Sequence, residues 1–498
     1  MRPQLLLLFC FIITGCNSKF AELGRLTPIH FFNFQFGLSS EPVPGSYAEE
    51  EVCVEMAQDS EGNIYCAGHT KGDFAETNLS SDADVLLIKM GPKGELIWAT
   101  QLGQNTRVPA GGPSNNANSD SCLSIAVDQL NNVYCAGKTD GFLGGNKVGQ
   151  SDAFVLKLNS AGELQWVKQF GTVQEDFADQ LVILPGGDIV VAGNTESELV
   201  PGEGSSNFFD VFVARLSPDG TILWTKQLGQ STLVSLGRPA ASGSDTEFTT
   251  SLVVDNASNI YLAGITSGNL AETNAGAGGN DLFLWRLDSA GNSIGLKQFG
   301  AISAPFATAN DKNFELAIDD KNNLYWGGST AGSYADAHAG ARDVYIFKTD
   351  QSGNFIWKTQ FGLSQTVPNG NNVAEDVCLS IALNKFSLYC VGTTEGSFAE
   401  PHAGGAGKDT FILELDPANG RFKDAVQFGA QTNFPGGNNT GDDIAMDITV
   451  DSRDRIHLAG YTTGNFGSEN AAVVPGTESD IFVIRLDDNH RPNYIDRK

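Results

Sequence analysis

Residues 122–139 read Cys-Leu-Ser-Ile-Ala-Val-Asp-Gln-Leu-Asn-Asn-Val-Tyr-Cys-Ala-Gly-Lys-Thr. The apolar run Cys122 to Val127 meets a turn at Asp128-Gln129-Leu130-Asn131-Asn132. A second run follows, Val133 to Gly137, closed by Lys138-Thr139. Short β-rich runs bounded by Asn, Asp and Gly read as two strands of a hairpin. Downstream, a loop from Asp140 to Ser151 leads to Asp152 and the run Ala153 to Leu158. The turn Asn159-Ser160-Ala161-Gly162 then precedes Leu164 to Gly171, which ends Gln169-Phe170-Gly171. Upstream lies a Gly/Pro/Asn/Ser-rich stretch, Gln104 to Ser121. The unit therefore holds four strands, a to d.

The unit recurs. A Gln-[Phe/Leu]-Gly tripeptide ends at Gly37, Gly103, Gly171, Gly229, Gly300, Gly362 and Gly429, with gaps of 66, 68, 58, 71, 62 and 67 residues. Strand b ends Gly-x-Thr at Thr70, Thr139, Thr195, Thr266, Thr330, Thr394 and Thr462. Strand c opens with Asp at Asp84, Asp152, Asp210, Asp281, Asp343, Asp409 and Asp480. Self-similarity at a long period marks a repeat architecture, and no run sustains the 3.6 period of a helix. Four antiparallel strands repeated seven times predict an all-β, seven-bladed β-propeller. The last repeat supplies strands a, b and c but lacks its Gln-[Phe/Leu]-Gly, whereas Gln35 to Gly37 precedes the first repeat. The N-terminal strand is thus expected to close the last blade, which removes an exposed edge. The alternative is a short strand of its own at Tyr494-Ile495. The repeated Asp and Thr read as scaffold, each Asp bonding the nearby Thr hydroxyl or loop amides.

The repeats resemble the bacterial SBBP β-propeller repeat family. Its pattern appears as Ile125-Ala126-Val127-Asp128 to Thr139 and again as Ile448-Thr449-Val450-Asp451 to Thr462, with His457 in place of Tyr. The resemblance spans about residues 30 to 487 and implies a secreted or surface propeller, with little said of function. The third repeat departs most, with Pro185-Gly186-Gly187-Asp188 at its turn.

Formal charge is −28, from 31 Lys and Arg against 59 Asp and Glu. Such a surface repels nucleic acid and anionic headgroups, leaving cations, basic proteins and neutral glycans as partners. The N-terminus reads as an address: Arg2, then the apolar stretch Leu5 to Ile13, then Ile13-Thr14-Gly15-Cys16. Nine apolar residues are too few to span a bilayer. The last four resemble a bacterial lipobox, which implies lipidation at Cys16 and a place in the bacterial cell envelope. Asn17 is not the Asp that favours inner-membrane retention, so the outer membrane is expected. An ordinary secretory signal cut nearby is the alternative. The expected organisation is a signal peptide at 1–15, a tether at 16–29, the propeller at 30–487 and a tail at 488–498.

Six further cysteines form the sets Cys53/Cys66, Cys122/Cys135 and Cys378/Cys390. In each, one Cys is on strand a and the other on strand b of the same repeat, and the other four repeats lack both. Both-or-neither is what disulfides demand, and hairpin pairing puts each set close to opposite. Free buried thiols are the alternative.

The a–b and c–d turns are short, whereas the d–a and b–c loops are long and leave one face. That face is the candidate binding surface. Eight residues before the a–b turn, a carboxylate recurs at Glu51, Asp120, Glu247, Asp311, Asp376 and Asp443. In the third repeat Phe177 takes that place, with Asp176 next to it. Strand a lines a propeller's channel, so these acids would ring its mouth. They suit Ca²⁺ or a cationic ligand; alternatively each caps its own loop. His338 and His402 stand where other repeats carry Asn78 and Asn274, which suggests turn chemistry. No Gly-x-Ser-x-Gly, Walker loop or His-Glu-x-x-His occurs. The leading expectation is a lipid-anchored interaction module for protein or glycan. The alternative is a propeller lyase or glycosidase-like hydrolase working at the acid-lined mouth, with Arg107, Arg238 and His338 as modest candidates and no catalytic set identified.

Overall fold

Seven four-stranded antiparallel sheets compose the computed structural model. It describes residues 33–36, 51–103, 119–203, 208–229, 247–300, 311–361, 375–398, 408–428, 442–462 and 480–486, apart from 73, 76–81, 145–146, 269, 272–279, 336–340 and 452. Strand a of each blade touches strand a of the next, and that of the last touches that of the first, so the sheets close into a ring. This is the expected seven-bladed propeller.

The first blade consists of Glu51–Gln58, Ile64–Thr70, Asp84–Met90 and Leu96–Leu102. In the last, Asp443–Val450, Ile456–Thr462 and Asp480–Arg485 come from the C-terminal end, and Asn33–Phe36 supplies the fourth strand. Gln35 pairs with Phe482 just as Gln101 pairs with Leu86 and Gln169 with Phe154. The N-terminal strand therefore occupies the d position in the register of every other blade. The alternative strand at Tyr494-Ile495 lies outside the described residues, as do residues 1–32.

Strands b and c are the most apolar because sheets cover both of their faces. Tyr65, Ala67, Val85 and Leu87 of the first blade form one core with Cys122, Ile125, Val133 and Phe154 of the second. Ile64, Leu86, Ile88 and Met90 likewise pack on Ala459, Ile481 and Val483 of the last. Strand d is outermost, and the first residues of Leu96–Leu102 are exposed. Each fully buried aliphatic side chain contributes about 1.5–3 kcal/mol, so the radial stacking of sheets carries most of the stability.

Every strand a has a β-bulge between the second and fourth residues after its acid, as between Cys53 and Glu55 after Glu51. The bulge drives a carbonyl toward strand b. A Cβ on Gly68 would lie 1.8 Å from the Val52 oxygen, and one on Gly137 1.9 Å from that of Ser121. The Gly of Gly-x-Thr is thus a steric requirement. The bulge also brings the cysteines together. Cys66 pairs with Met56 rather than with Cys53, so the bridges run diagonally. Disulfides join Cys53–Cys66, Cys122–Cys135 and Cys378–Cys390, with Cα separations of 5.8, 5.9 and 6.0 Å.

The a–b turns are Asx turns. Asp59 Oδ1 accepts the Glu61 and Asn63 N–H at 3.0 and 2.9 Å, and Asp128, Asp255, Asp319 and Asp451 repeat the pattern. In the third blade the turn opens at Leu184, where the Leu184 N–H meets the Asp188 carbonyl. The turn thus opens one residue before Pro185. Asp176, not Phe177, begins strand a and faces Thr195, as Glu51 faces Thr70.

Candidate functional site

At the end of each sheet where the long d–a and b–c segments leave, the repeated polar residues lie side by side. Glu51, Thr70 and Asp84 are consecutive cross-strand partners, as are Asp120, Thr139 and Asp152. Two bonded chains result. In one, the Thr hydroxyl donates to the strand-a acid: Thr70 to Glu51 at 3.1 Å, Thr330 to Asp311 at 2.5 Å, Thr462 to Asp443 at 2.6 Å. The same Thr oxygen accepts an N–H two residues on, as Thr70 does from Gly72 at 3.0 Å.

In the other chain, the strand-d Gln binds the strand-c Asp. Gln101 Nε2 donates to Asp84 Oδ2 at 2.8 Å and to the Gly72 carbonyl at 3.0 Å, while its Oε1 accepts the Ala75 N–H at 3.0 Å. Gln169, Gln227, Gln298, Gln360 and Gln427 do the same with Asp152, Asp210, Asp281, Asp343 and Asp409. Asp152 also accepts the loop amides of Val148 and Gly149. The strand-c Asp thus bonds Gln, and at Asp152 the loop amides that were one of its two expected partners, while the Thr hydroxyl, the other, goes to the strand-a acid. The clasp explains the final Gly of Gln-[Phe/Leu]-Gly. A Cβ on Gly103 would sit 1.8 Å from Asp84 Oδ1, and one on Gly229 2.0 Å from Asp210 Oδ1.

The strand-a acids lie beneath the loops rather than open at a mouth. Asp120, Asp176, Asp311, Asp376 and Asp443 are all buried, as is Glu51; the side chain of Glu247 lies outside the described residues. Each begins against the preceding blade, where the Asp120 N–H meets the Ala83 carbonyl and that of Asp376 meets Arg342. This places the acid near that blade's strand-c Asp. Burial, then the Asp84 charge, pushes Asp120 up to about 7, against the hydrogen bond from Thr139. Asp376 rises to about 7 by burial, with Asp343 and Glu375 adding and Thr394 opposing. Burial raises Asp176, against hydrogen bonds from Thr195 and Thr172. One carboxylate oxygen on each of Asp120, Asp176 and Asp376 is buried without a hydrogen-bond partner. The ring is a set of separate inter-blade sites. Among the described residues, no three His, Cys, Asp or Glu side chains gather as metal ligands.

A second polar ring was not anticipated from the sequence. Counted from the strand-a acid as the first, the fifth residue is Glu55, Ser124, Gln180, Ser251, Glu315, Ser380 or Asp447. Six of them accept the backbone N–H of the next blade: Glu55 from Ile125, Ser124 from Leu181, Ser251 from Leu316, Glu315 from Ile381, Ser380 from Ile448, and Asp447 from Met56. Between the third and fourth blades Asn194 takes over, accepting the Thr249 N–H at 2.9 Å and donating to Asp179 at 3.0 Å. The six bonds join strand a of one blade to strand a of the next. A recurrent polar residue four places after the strand-a acid was the available signal. Burial leads the rise of Glu55 to about 8, with Asp447 and Asp179 adding, and lifts Glu315 and Asp179 well above the carboxylate range. Burial raises Asp447 to about 6, against hydrogen bonds from Ser380 and the Met56 and Ile448 N–H groups.

His69 Nδ1 lies 3.2 Å from the Ser121 hydroxyl of the next blade. His338, His402, Arg107 and Arg238 lie outside the described residues, as does Cys16.

Two segments of the chain, residues 97–142 and 223–271, match the family model described as the SBBP β-propeller repeat. The regulatory protein FlaEY of Caulobacter vibrioides is 25% identical over 226 residues, 41% of this chain and 22% of that protein's length. Among solved structures, the polysaccharide lyase Uly1 aligns over 87% of this chain and 90% of its own, at 9% identity and a TM-score of 0.48. The Neurospora crassa Pan2 WD40 domain aligns over 89% and 90%, at 10% identity and a TM-score of 0.44.

Proposed function

We propose that this SBBP-repeat propeller is a lipid-anchored, extracytoplasmic interaction module that takes a protein or glycan ligand on its long-loop face. One observation carries the reading. The polar residues repeated in every blade are spent on clasping loops and joining blades, and the described residues assemble no blade-unique set of nucleophile, acid and base. What differs between blades is the long segments, such as residues 104–118 and 431–441, which depart from the one clasped end of the ring. A rigid scaffold presenting variable loops is the common design of binding surfaces. The anchor rests on Ile13-Thr14-Gly15-Cys16, and the bacterial outer membrane is its proposed address.

A glycan array and an envelope-extract pull-down with the full mature chain, with and without calcium, test the ligand. Binding that disappears when residues 104–118 are replaced by a short turn supports the loop face; binding indifferent to such replacements refutes it. Fatty-acid labelling that Cys16→Ser abolishes supports the anchor. Calcium dependence of binding or melting would return the Asp120, Asp176 and Asp376 oxygens to the role of ligands.

A further inference from the structure

The Ser380 hydroxyl has more partners than it has hydrogens. Its Oγ lies 2.7 Å from Asp447 Oδ1 and in hydrogen-bond contact with Glu315 Oε2, and it accepts the Ile448 N–H at 3.3 Å. A hydroxyl donates once, and an ionised carboxylate only accepts. Ser380 can serve one of the two carboxyls. The other contact requires a hydrogen that the carboxyl itself supplies. Neither acid has another donor role to fill: Glu315 Oε2 also accepts the Ile381 N–H at 2.9 Å, and Asp447 accepts from Ile448 and Met56, both at 2.7 Å.

We propose that a proton is held in the bridge Glu315–Ser380–Asp447, and that it governs how tightly the ring closes. The bridge spans strand a of the fifth, sixth and seventh blades. Its last member, Asp447, binds Met56 at the seam where the seventh blade meets the first. The group facing it there is a further carboxyl, Glu55 on the first blade, itself bonded to the Ile125 N–H; Glu55 in turn feels Asp179 on the third blade, which is bonded to Asn194. With the proton present, the bridge is a continuous chain of hydrogen bonds. With it gone, two carboxylates confront one hydroxyl in a confined bore, and their repulsion works against the Asp447–Met56 bond.

The direction agrees with burial, the leading cause at all three acids, with neighbouring charge adding at Glu315 and Glu55. Glu315 is raised well above its ordinary value, and Asp447 and Glu55 rise to about 6 and about 8. A group with a raised folded pKa stabilises below its unfolded value, and that stability fades as pH climbs through the folded value. The loosening therefore lies above about pH 6, where Asp447 has ionised and Glu315 gives up the remaining proton.

The test uses the whole chain. Wild type is expected to show an infrared protonated-carboxyl band at pH 6 that fades by pH 8. Glu315→Gln, whose amide supplies a permanent donor, should weaken that band and release about one proton fewer over the interval, without melting earlier at pH 8. Ser380→Ala should weaken the band without abolishing folding. A band and proton count unchanged in Glu315→Gln would overturn the proposal. So would a band absent at pH 6, or proton release replaced by sodium or calcium uptake.

Discussion

The side-chain amide of Gln101 is bonded to Asp84 Oδ2 at 2.8 Å, across neighbouring strands and 17 residues of chain. The same amide holds the Gly72 carbonyl. Both partners are enclosed, so neither can turn to water when the amide is lost. Gln101→Ala should cost about 1–3 kcal/mol in urea unfolding, the usual penalty of stranding a buried acceptor. Gln101→Glu should cost more, because it sets a carboxylate against a carboxylate. An unchanged midpoint would show that the clasp is dispensable.

Gly103 must stay glycine for a related reason. An added Cβ would meet Asp84 Oδ1 at 1.8 Å, and Gln101 keeps that carboxylate from moving aside. Gly103→Ala is expected to lose about 1–3 kcal/mol through overpacking. Gly186 has no atom within 4 Å of a built Cβ. Gly186→Ala is the control, and its melting temperature should stay within the scatter of wild type.

Removal of residues 33–36 uncovers the strand Asp480–Arg485 as a bare edge. The shortened chain should melt much earlier and associate, since unpaired edges template intermolecular pairing. Calorimetry and gel filtration read both effects. A monomer with the melting point of the full chain would contradict this mode of closure.

Each disulfide closes a short loop of 12 or 13 residues. The chain-entropy relation assigns about 3 kcal/mol to such a loop. Thiol titration of the unreduced, unfolded protein should find none of these six cysteines free. Replacing Cys53 and Cys66 together by Ala should lower the unfolding free energy by roughly that amount.

Stability should peak on the acid side of neutrality. Asp120 and Asp376, both raised to about 7, stabilise most below the unfolded carboxyl value and lose that contribution as pH rises through 7. The turn acids behave oppositely. Asp59, Asp128 and Asp319 are depressed: burial opposes, but bonds from Asn63, Asn132 and Asn323 and from turn amides prevail. Their contribution is present above the unfolded value and disappears as pH falls through the folded one. Melting followed from pH 3 to 9 should rise, pass a maximum and decline by pH 8. Asp120→Asn should flatten the declining limb. A monotonic rise to pH 9 would refute the assignment.

The parts legible in the chain were those that recur with one identity. Gln, Gly, Thr and Asp return at fixed places because the clasp is the same in each blade, so counting them was enough to count blades and to assign Asn33–Phe36 to the last. The cysteine sets were legible because a bridge needs both members. The fifth-residue ring escaped notice because one geometric role, accepting the next blade's N–H, is filled by Glu55, Ser124, Glu315 or Asp447 alike. Its partners, such as Glu55 and Ile125, are 70 residues apart. His69 and Asn194, at a strand-b position whose residue changes from blade to blade, each face a neighbouring blade.

From sequence alone came the periodicity, and with it the number of sheets, their four-strand order and the meeting of the two ends. Local backbone preferences and the alternation of apolar residues act over a few positions, and seven repetitions make them unambiguous. Which carboxylates lose their solvent, which oxygens stay unpaired and which hydroxyl must serve two acids were decided only when the blades closed on one another. Those properties depend on distances between residues that the chain itself holds far apart.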